Sequence, residues 1–279
     1  MNFDPRLTPA RPDLAAAHLR GQVEAERFIE GEPLQVITPS LPLTSRPDAS
    51  QSYGSELLYG EPFTVYDRQD GLAWGQSSAD GYVGWVAEGG LGPRQETTHH
   101  VVLLTALVYA EPEVKSRPLA ALPYLSSCTV TAQQGRWLEI DGRWWIPGRH
   151  LREGTPDAAD WVGVAERFLG VPYLWGGRTP AGLDCSAVVQ LARMGAGFDC
   201  LRDSDMQAGV GEEIDPDGAL KRGDLIFWKG HVGIMSDAST LLHANAFHMA
   251  CTYEPLDLAR DRIEAQGDGP VTGARRLDT

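Results

Sequence analysis

One cysteine and two histidines have the types and the order along the chain that a thiol nucleophile requires. Cys185 lies where the loop YLWGGRTPAGLD gives way to SAVVQLA, a run with helical spacing. His231 begins the segment HVGIMSD, and His243 lies inside the next segment, TLLHANA. A helix start offers unpaired N–H groups that stabilise a thiolate and can hold an oxyanion. The pattern predicts acyl transfer with Cys185 as nucleophile.

The elements around these residues must bring them together. Asp184 is placed to cap a helix that runs from Cys185 to about Met194. The segments GDLIFWKG, HVGIMSD and TLLHANA are strand-like, and the turn SDAS separates the last two. Adjacent antiparallel strands would place both imidazoles on neighbouring positions of one face. His231 would then be the general base, and His243 would orient its other ring nitrogen.

Each residue also has a simpler interpretation. A single cysteine at a helix start is usually a small buried thiol, and a single histidine beside a strand is usually structural. The ordered combination favours catalysis over these readings. His248 is a rival for the place of His243, whereas the remaining cysteines are interpreted as structural thiols: Cys128, Cys200 and Cys251.

Composition excludes several classes of protein. The formal net charge is -14 and no basic stripe accompanies it, so nucleic acid and membrane surfaces are poor partners. No apolar run has the length of a membrane-spanning helix, and the N-terminus lacks the pattern of a signal peptide. We therefore expect a cytoplasmic protein with reduced thiols. The spacing of the four cysteines indicates no metal site, and we expect no cofactor; the oligomeric state is open.

The chain reads as four segments of α+β type. Residues 1–33 contain a predicted helix over Asp13 to Gln22, and residues 34–95 and 96–152 each contain short strand-like segments. LAWGQSSADGYVGWV is typical of a hairpin, and Asp141-Gly142 marks a second turn. Residues 153–279 begin with a predicted helix, AADWVGVAERFLG, opened by Thr155-Pro156-Asp157. That helix and the helix at Cys185, followed by the run of antiparallel strands, indicate the α+β class.

Three motifs make this last segment resemble a known family. LDCSAVVQLA, GDLIFW followed by HVGIM, and LLHA are similar to the three sequence blocks of the NlpC family of papain-like cysteine peptidases. The resemblance covers roughly residues 155–279. Two earlier segments, around YVGWVAEGGL and RWWIPGRHL, resemble bacterial SH3 domains. The expected architecture is a papain-like NlpC catalytic domain preceded by two small SH3-like β-barrels.

The resemblance implies an activity and a set of residues. NlpC peptidases cleave the γ-D-glutamyl bond to a diamino acid in bacterial cell-wall peptides, with Cys185, His231 and His243 in the catalytic positions. The subgroup with tandem SH3 domains acts on free muropeptides that carry an unblocked N-terminal L-Ala. The residues that this subgroup implies for substrate binding are Tyr173, Trp175, Asp184, Ser186, Arg202, Asp203 and Ser204, with Glu56 and Tyr82 from the first SH3 domain.

Physical chemistry is consistent with several of these roles. Asp184 can pair with the substrate ammonium, Arg202 with a carboxylate, and the Tyr173 hydroxyl can help to hold the oxyanion. Asp184 would also be the helix cap, so its two roles stay open. Alternatives to Glu56 and Tyr82 are Glu61, Tyr59 and Trp85, and at least two of Trp74, Tyr82 and Trp85 are expected in a barrel core.

Two other functions remain open at this point. One is hydrolysis of intact peptidoglycan after export, and the other is a non-catalytic protein that binds cell-wall peptides through its SH3 units. Recycling of wall fragments in the cytoplasm is the function that the sequence favours.

Overall fold

The computed structural model describes residues 3–48 and 53–277, and the chain divides into two compact units. The first unit is Met1–Thr155 and the second is Pro156–Thr279. Each unit has a core of its own, and the second contains both the cysteine and the histidines singled out above.

The described part of the first unit consists of short strands joined by turns and three single 3₁₀ turns at Ala17–Leu19, Glu88–Gly90 and Gly148–His150. Its strands are β1 (Ala10–Arg11), β2 (Leu14–Ala16), β3 (Phe28–Ile29), β4 (Glu32–Val36), β5 (Ser40–Leu43), β6 (Ser55–Leu58), β7 (Pro62–Gln69), β8 (Leu72–Ser77), β9 (Val83–Ala87), β10 (Leu91–Pro93), β11 (His99–Val101), β12 (Thr105–Tyr109), β13 (Pro118–Pro123), β14 (Ser127–Cys128), β15 (Val130–Gln134), β16 (Trp137–Ile140), β17 (Trp144–Pro147) and β18 (Leu151–Glu153).

The predicted helix over Asp13 to Gln22 is wrong. Leu14–Ala16 forms β2, whose central residue Ala15 pairs with Ala10 of β1 and with Phe28 of β3. All three residues of β2 are buried, whereas a helix at the surface of a domain would expose part of its residues to solvent. A helix of ten residues is marginal by itself, and strand pairing overrides the helix propensity of this alanine run.

Two five-stranded antiparallel sheets organise the rest of the first unit. The first has the order β10-β4-β7-β8-β9, and its β8–β9 hairpin confirms the hairpin predicted from LAWGQSSADGYVGWV. Trp74 and Trp85 pack with Leu14 in a buried cluster, as expected for core residues.

The second sheet has the order β13-β12-β17-β16-β15. Asp141 and Gly142 link β16 to β17 with φ values of 53° and 63°, which confirms the predicted turn. The Arg143 N–H donates to the Ile140 carbonyl at 3.0 Å across these two residues, and positive φ at both is what a type I′ turn requires.

The second unit places helices against one antiparallel sheet. Its helices are α1 (Trp161–Glu166), α2 (Cys185–Gly195), α3 (Ser204–Gln207) and α4 (Leu256–Ala265). Its strands are β19 (Arg178–Thr179), β20 (Gly182–Leu183), β21 (Glu212–Ile214), β22 (Asp224–Trp228), β23 (His231–Met235), β24 (Thr240–Asn245), β25 (Ala250–Pro255) and β26 (Gly273–Arg276). The six-stranded sheet has the order β21-β26-β22-β23-β24-β25, and the α+β class is confirmed.

In the second unit the sequence predicted α2 correctly and α1 in part, and it did not predict α3. Helix α1 begins later than predicted, because the Asp160 carboxylate accepts the Gly163 N–H at 3.0 Å and caps it there. Helix α4 was not predicted. Its residues Leu256, Ala259 and Ile263 are buried against the sheet, a helical spacing that the sequence does display.

Among the described residues, none of the helices is both long and apolar enough to span a membrane.

Candidate active site

Cys185 is the first residue of α2, and Asp184 caps the helix as the sequence predicts. The Asp184 Oδ1 atom accepts the backbone N–H of Ala187 at 2.8 Å. Helix α2 packs on β23 and β24, the two strands that carry His231 and His243. Cys185 is 8% exposed, so its thiol lies in the wall of the fold rather than on an open surface.

The glycine pair before the cysteine has a structural cause. Gly176 has a φ of 76°, a left-handed conformation that favours glycine, and its N–H donates to Asp184 Oδ2 at 3.0 Å. A Cβ on Gly177 would lie 2.4 Å from the carbonyl oxygen of Gly182. The two glycines therefore let the loop close tightly over the cap of α2.

A buried ion pair lies beneath the helix start. Arg202 has no exposed side-chain surface, and its guanidinium donates to both oxygens of Asp184 at 3.0 and 2.8 Å. It also donates to the Ser186 hydroxyl at 2.9 Å. In the free protein Asp184 and Arg202 therefore pair with each other, and their predicted contacts with a substrate ammonium and a substrate carboxylate stay predictions. Buried charges require such a partner.

The two histidines meet as the strand prediction requires. Strands β23 and β24 are adjacent and antiparallel, and His231 Nε2 lies 2.9 Å from His243 Nδ1. His243 Nε2 lies 3.0 Å from Glu254 Oε2 on the neighbouring strand β25. Arg262 of α4 donates to both oxygens of Glu254, at 2.9 and 2.7 Å. A continuous polar chain therefore runs from His231 into the fold.

This chain determines which nitrogens carry protons. Burial acts to raise the pKa of Glu254, but hydrogen bonds from Arg262 and His243 outweigh it and lower that pKa to about 2. The ionised carboxylate only accepts, so His243 donates from Nε2 and accepts at Nδ1 from the Nε2–H of His231. Burial, followed by the charges of His243 and Arg262, lowers the pKa of His231 to about 3. Neutral His231 thus presents Nδ1 as a free base.

The thiol is protonated in the free protein. Burial, followed by the nearby charge of Asp184, raises the pKa of Cys185 to about 12, although the Val232 and Ser186 backbone N–H groups and Arg202 act against this. The net shift is opposite to the lowering expected at a helix start, because burial outweighs the hydrogen bonds and the Arg202 charge that favour the thiolate. Burial, followed by the charge of Cys185, raises the pKa of Tyr173, so its hydroxyl stays protonated and can donate a hydrogen bond.

The other predicted site residues fall into three groups. Tyr173 and Trp175 line a pocket together with His231, and Trp175 is 61% exposed. Asp203 and Ser204 are partly exposed at the start of α3. Glu56 and Tyr82 are buried in the first unit, and their contact with substrate stays a prediction.

The alternatives to Glu56 and Tyr82 have structural roles. Glu61 accepts the Leu58 N–H at 2.9 Å, and Trp85 belongs to the core described above. The Tyr59 ring packs on Trp144 and its hydroxyl donates to Asp141 at 2.5 Å.

His248 does not take the place of His243. It is exposed at the turn after β24, where its ring bonds to Asn245 Oδ1 at 3.1 Å. In residues 3–48 and 53–277, His243, His248 and Glu254 form the one group whose ligand atoms lie close enough to share a metal, within 4.8 Å of one another. Both oxygens of Glu254 are already bonded to Arg262, so a cation there would have to displace a guanidinium.

Glu254 and Arg262 are site residues that the sequence did not predict. Neither residue belongs to the three motifs, and their relation to His243 depends on the register of β24 with β25 and on α4. The available signal was the amphipathic spacing of Leu256, Ala259 and Ile263, which predicts a helix directly after Glu254.

Comparisons with known proteins agree with this fold. Residues 170–257 match the model of the NlpC/P60 family, and residues 43–91 match that of the bacterial dipeptidyl-peptidase SH3 domain. The chain is 30% identical over 237 residues to a γ-D-glutamyl-L-lysine dipeptidyl-peptidase of Bacillus cereus, covering 73% of this chain and 70% of the relative. It is 26% identical over 235 residues to dipeptidyl-peptidase 6 of Lysinibacillus sphaericus, covering 75% and 86%.

Solved structures show the same fold. The crystal structure of an NlpC/P60 protein from Bacillus cereus superposes with a TM-score of 0.73 at 20% identity, covering 88% of this chain and 99% of that one. An NlpC/P60 endopeptidase from Photobacterium damselae gives a TM-score of 0.60 at 14% identity, covering 86% and 70%.

The fold and the relatives together define a peptidase with an NlpC/P60 catalytic domain and a bacterial SH3 domain. The chain belongs to the NlpC/P60 family. The predicted family and the first SH3 domain are confirmed. The second SH3-like barrel, over residues 96–152, stays a prediction: the structure places the second five-stranded sheet there, and the SH3 match ends at residue 91.

Proposed function

We propose that this protein is a cysteine peptidase that hydrolyses the γ-D-glutamyl–diamino acid bond of cell-wall muropeptides with a free N-terminal L-Ala. The observation that carries the proposal is the 2.9 Å contact between His231 and His243 on strands packed against the Cys185 helix. The name of the Bacillus cereus relative, a γ-D-glutamyl-L-lysine dipeptidyl-peptidase, supports the choice of bond.

The proposed reaction begins with a neutral thiol and a neutral imidazole. As the sulfur of Cys185 attacks the γ-carbonyl carbon, its proton passes to His231 Nδ1. The resulting oxyanion accepts hydrogen bonds from the Cys185 N–H and the Tyr173 hydroxyl. His231 then returns the proton to the nitrogen of the diamino acid, the C–N bond breaks, and a thioester remains. Water activated by His231 hydrolyses that thioester and frees the thiol.

His243 and Glu254 act through His231. Glu254 accepts the Nε2–H of His243 and so keeps His243 in the tautomer whose Nδ1 is unprotonated. That Nδ1 atom in turn accepts the Nε2–H of His231. The imidazolium formed during attack is stabilised by this chain, in the way a carboxylate or amide stabilises histidine in other triads. Asp184, Ser186 and Arg202 hold the start of α2 in place beneath the nucleophile.

We also propose that the protein acts on released wall fragments in the cytoplasm. The requirement for a free L-Ala amine suits small fragments better than intact peptidoglycan, in which that amine is acylated.

Mass spectrometry of a mixed muropeptide digest tests the proposal. The expected products are L-Ala-D-Glu and peptides that begin with the diamino acid, and acetylating the substrate amine should stop the reaction. Equal hydrolysis of acetylated peptides would instead indicate a hydrolase of intact peptidoglycan. Binding of these peptides without any hydrolysis would indicate a non-catalytic wall-peptide-binding protein.

A further inference from the structure

A pocket of about 330 Å³ opens beside His231 in the second unit. One wall is the turn Lys229–Gly230, directly before His231, and another is the turn after β24 with Asn245 and Phe247. The end of α4 and Asp268 complete the far side. Cys185, Asp184, Ser186 and Arg202 are not among its lining residues, so the pocket lies on the histidine side of the nucleophile.

We infer that this pocket receives the diamino acid released by hydrolysis, an inference that rests on the proposed function. His231 hands its proton to the departing amine, so the atoms attached to that nitrogen must lie within reach of this imidazole. The acyl half of the substrate is held at the sulfur of Cys185. The space beside His231 is therefore where the leaving residue goes.

An unpartnered amide identifies the first recognition group. Asn245 is 5% exposed, and its Oδ1 accepts the backbone N–H of His248 at 2.8 Å. Its Nδ2 has no hydrogen-bond partner within the part of the chain that the structure describes, although it is buried and its residue lines the pocket. A buried donor of this kind is normally satisfied. A carboxylate would satisfy it, and the ammonium of Lys229 on the same pocket favours that charge.

A second group of opposite sign lies on the same pocket. Asp268 is exposed there, whereas the nearby Arg262 already gives its charge to Glu254. Phe247, 58% exposed, supplies an apolar surface between the polar groups. Carboxylate, aliphatic stem and terminal ammonium are the parts of a diamino acid. The pocket thus takes a leaving residue whose α-carboxylate contacts Asn245 and Lys229 and whose terminal ammonium contacts Asp268.

Three synthetic peptides test this assignment: L-Ala-γ-D-Glu-L-Lys, the same peptide with norleucine in place of lysine, and the lysine peptide with a C-terminal amide. Norleucine lacks the ammonium and the amide lacks the carboxylate. The full-length protein should prefer the lysine peptide in kcat/KM over both others, by about fivefold each, as expected for partly solvated ion pairs.

Variants locate the two contacts. Asp268→Asn should remove the preference for lysine over norleucine and leave the norleucine rate unchanged. Lys229→Gln should remove most of the preference for the free acid over the amide. Asp261→Asn, an exposed acid on α4 outside the pocket lining, is the matched control and should keep both preferences.

The outcomes separate the two proposals. Equal hydrolysis of lysine and norleucine peptides, or an equal loss for both in Asp268→Asn, would overturn the pocket assignment while the peptidase function stands. No hydrolysis of any of the three peptides would overturn the proposed function, and the assignment with it.

Discussion

His243 Nε2 lies 3.0 Å from the carboxylate of Glu254, a residue that none of the sequence motifs contains. This contact sets the direction of the hydrogen bonds through His243 to His231 and leaves His231 Nδ1 without a proton, as the proposed base requires. The proposed catalytic chain of His231, His243 and Glu254 therefore ends inside the fold at a carboxylate, which forms an ion pair with Arg262.

Glu254→Gln tests this positioning role. An amide can donate as well as accept, so the variant no longer enforces one tautomer of His243. We expect kcat to fall by roughly 10- to 100-fold with little change in KM, since general-base efficiency rather than binding is affected. Glu264→Gln, an exposed acid on the same helix as Arg262, should retain full activity. An unchanged kcat in Glu254→Gln would show that the contact is only structural.

The state of the thiol can be read from its alkylation. With a pKa of about 12 for Cys185, its reaction with iodoacetamide should accelerate about tenfold per pH unit between pH 7 and 9, because only the thiolate reacts. The measurement uses a Cys200→Ser background, because Cys200 is partly exposed whereas the other three cysteines are buried. Peptide mass spectrometry locates the label. A rate that is already constant near pH 7 would indicate a preformed thiolate–imidazolium pair.

The buried histidines predict a loss of stability in mild acid. The folded-state pKa of His231 is about 3, and burial also lowers the pKa of His243, whereas an unfolded histidine titrates near about 6.5. Below that pH the unfolded chain binds protons that the folded chain does not, so the free energy of unfolding falls as pH decreases. Glu254 adds a loss below about 4.5, because its folded-state pKa is lowered to about 2.

Urea unfolding at pH 7 and pH 5 measures this effect. The urea midpoint should be lower at pH 5, and the difference should shrink in His243→Asn. His18→Asn, an exposed histidine, should leave the difference as it is. The same midpoint at both pH values in the unsubstituted protein would contradict the buried neutral state of the histidines.

Arg202→Met tests the ion pair beneath the nucleophile. The substitution leaves the Asp184 carboxylate in a buried site without its cation, and breaking such a pair costs about 3–5 kcal/mol. Arg222→Met removes a more exposed pair with Glu166 and should cost no more than about 1 kcal/mol. Similar losses in urea unfolding for the two variants would show that Arg202 is not held as the structure indicates.

The sequence predicted those parts of the site that depend on local signals. Asp184 before a helical run identified the start of α2, and two strand segments joined by a turn brought His231 beside His243. The relation of His243 to Glu254 depends instead on the register between β24 and β25, which no short motif contains.

Burial explains most of the remaining differences. The sequence predicts Arg202 and Asp184 as ligands for a charged substrate, but it does not reveal that both side chains are enclosed and paired with each other in the free protein. Burial also reverses the expected pKa shift of Cys185. In the first unit, the alanine-rich segment that predicted a helix forms strand β2 instead, because it pairs with β1 and β3.

Hydrolysis of L-Ala-γ-D-Glu-L-Lys by Cys185→Ala, with Cys200→Ala as the matched control, tests the central proposal most directly. We expect the Cys200→Ala variant to turn over the peptide at the rate of the unsubstituted protein. The Cys185→Ala variant should bind the peptide with no detectable release of lysine. Normal turnover by Cys185→Ala would contradict the assignment of this thiol as the nucleophile.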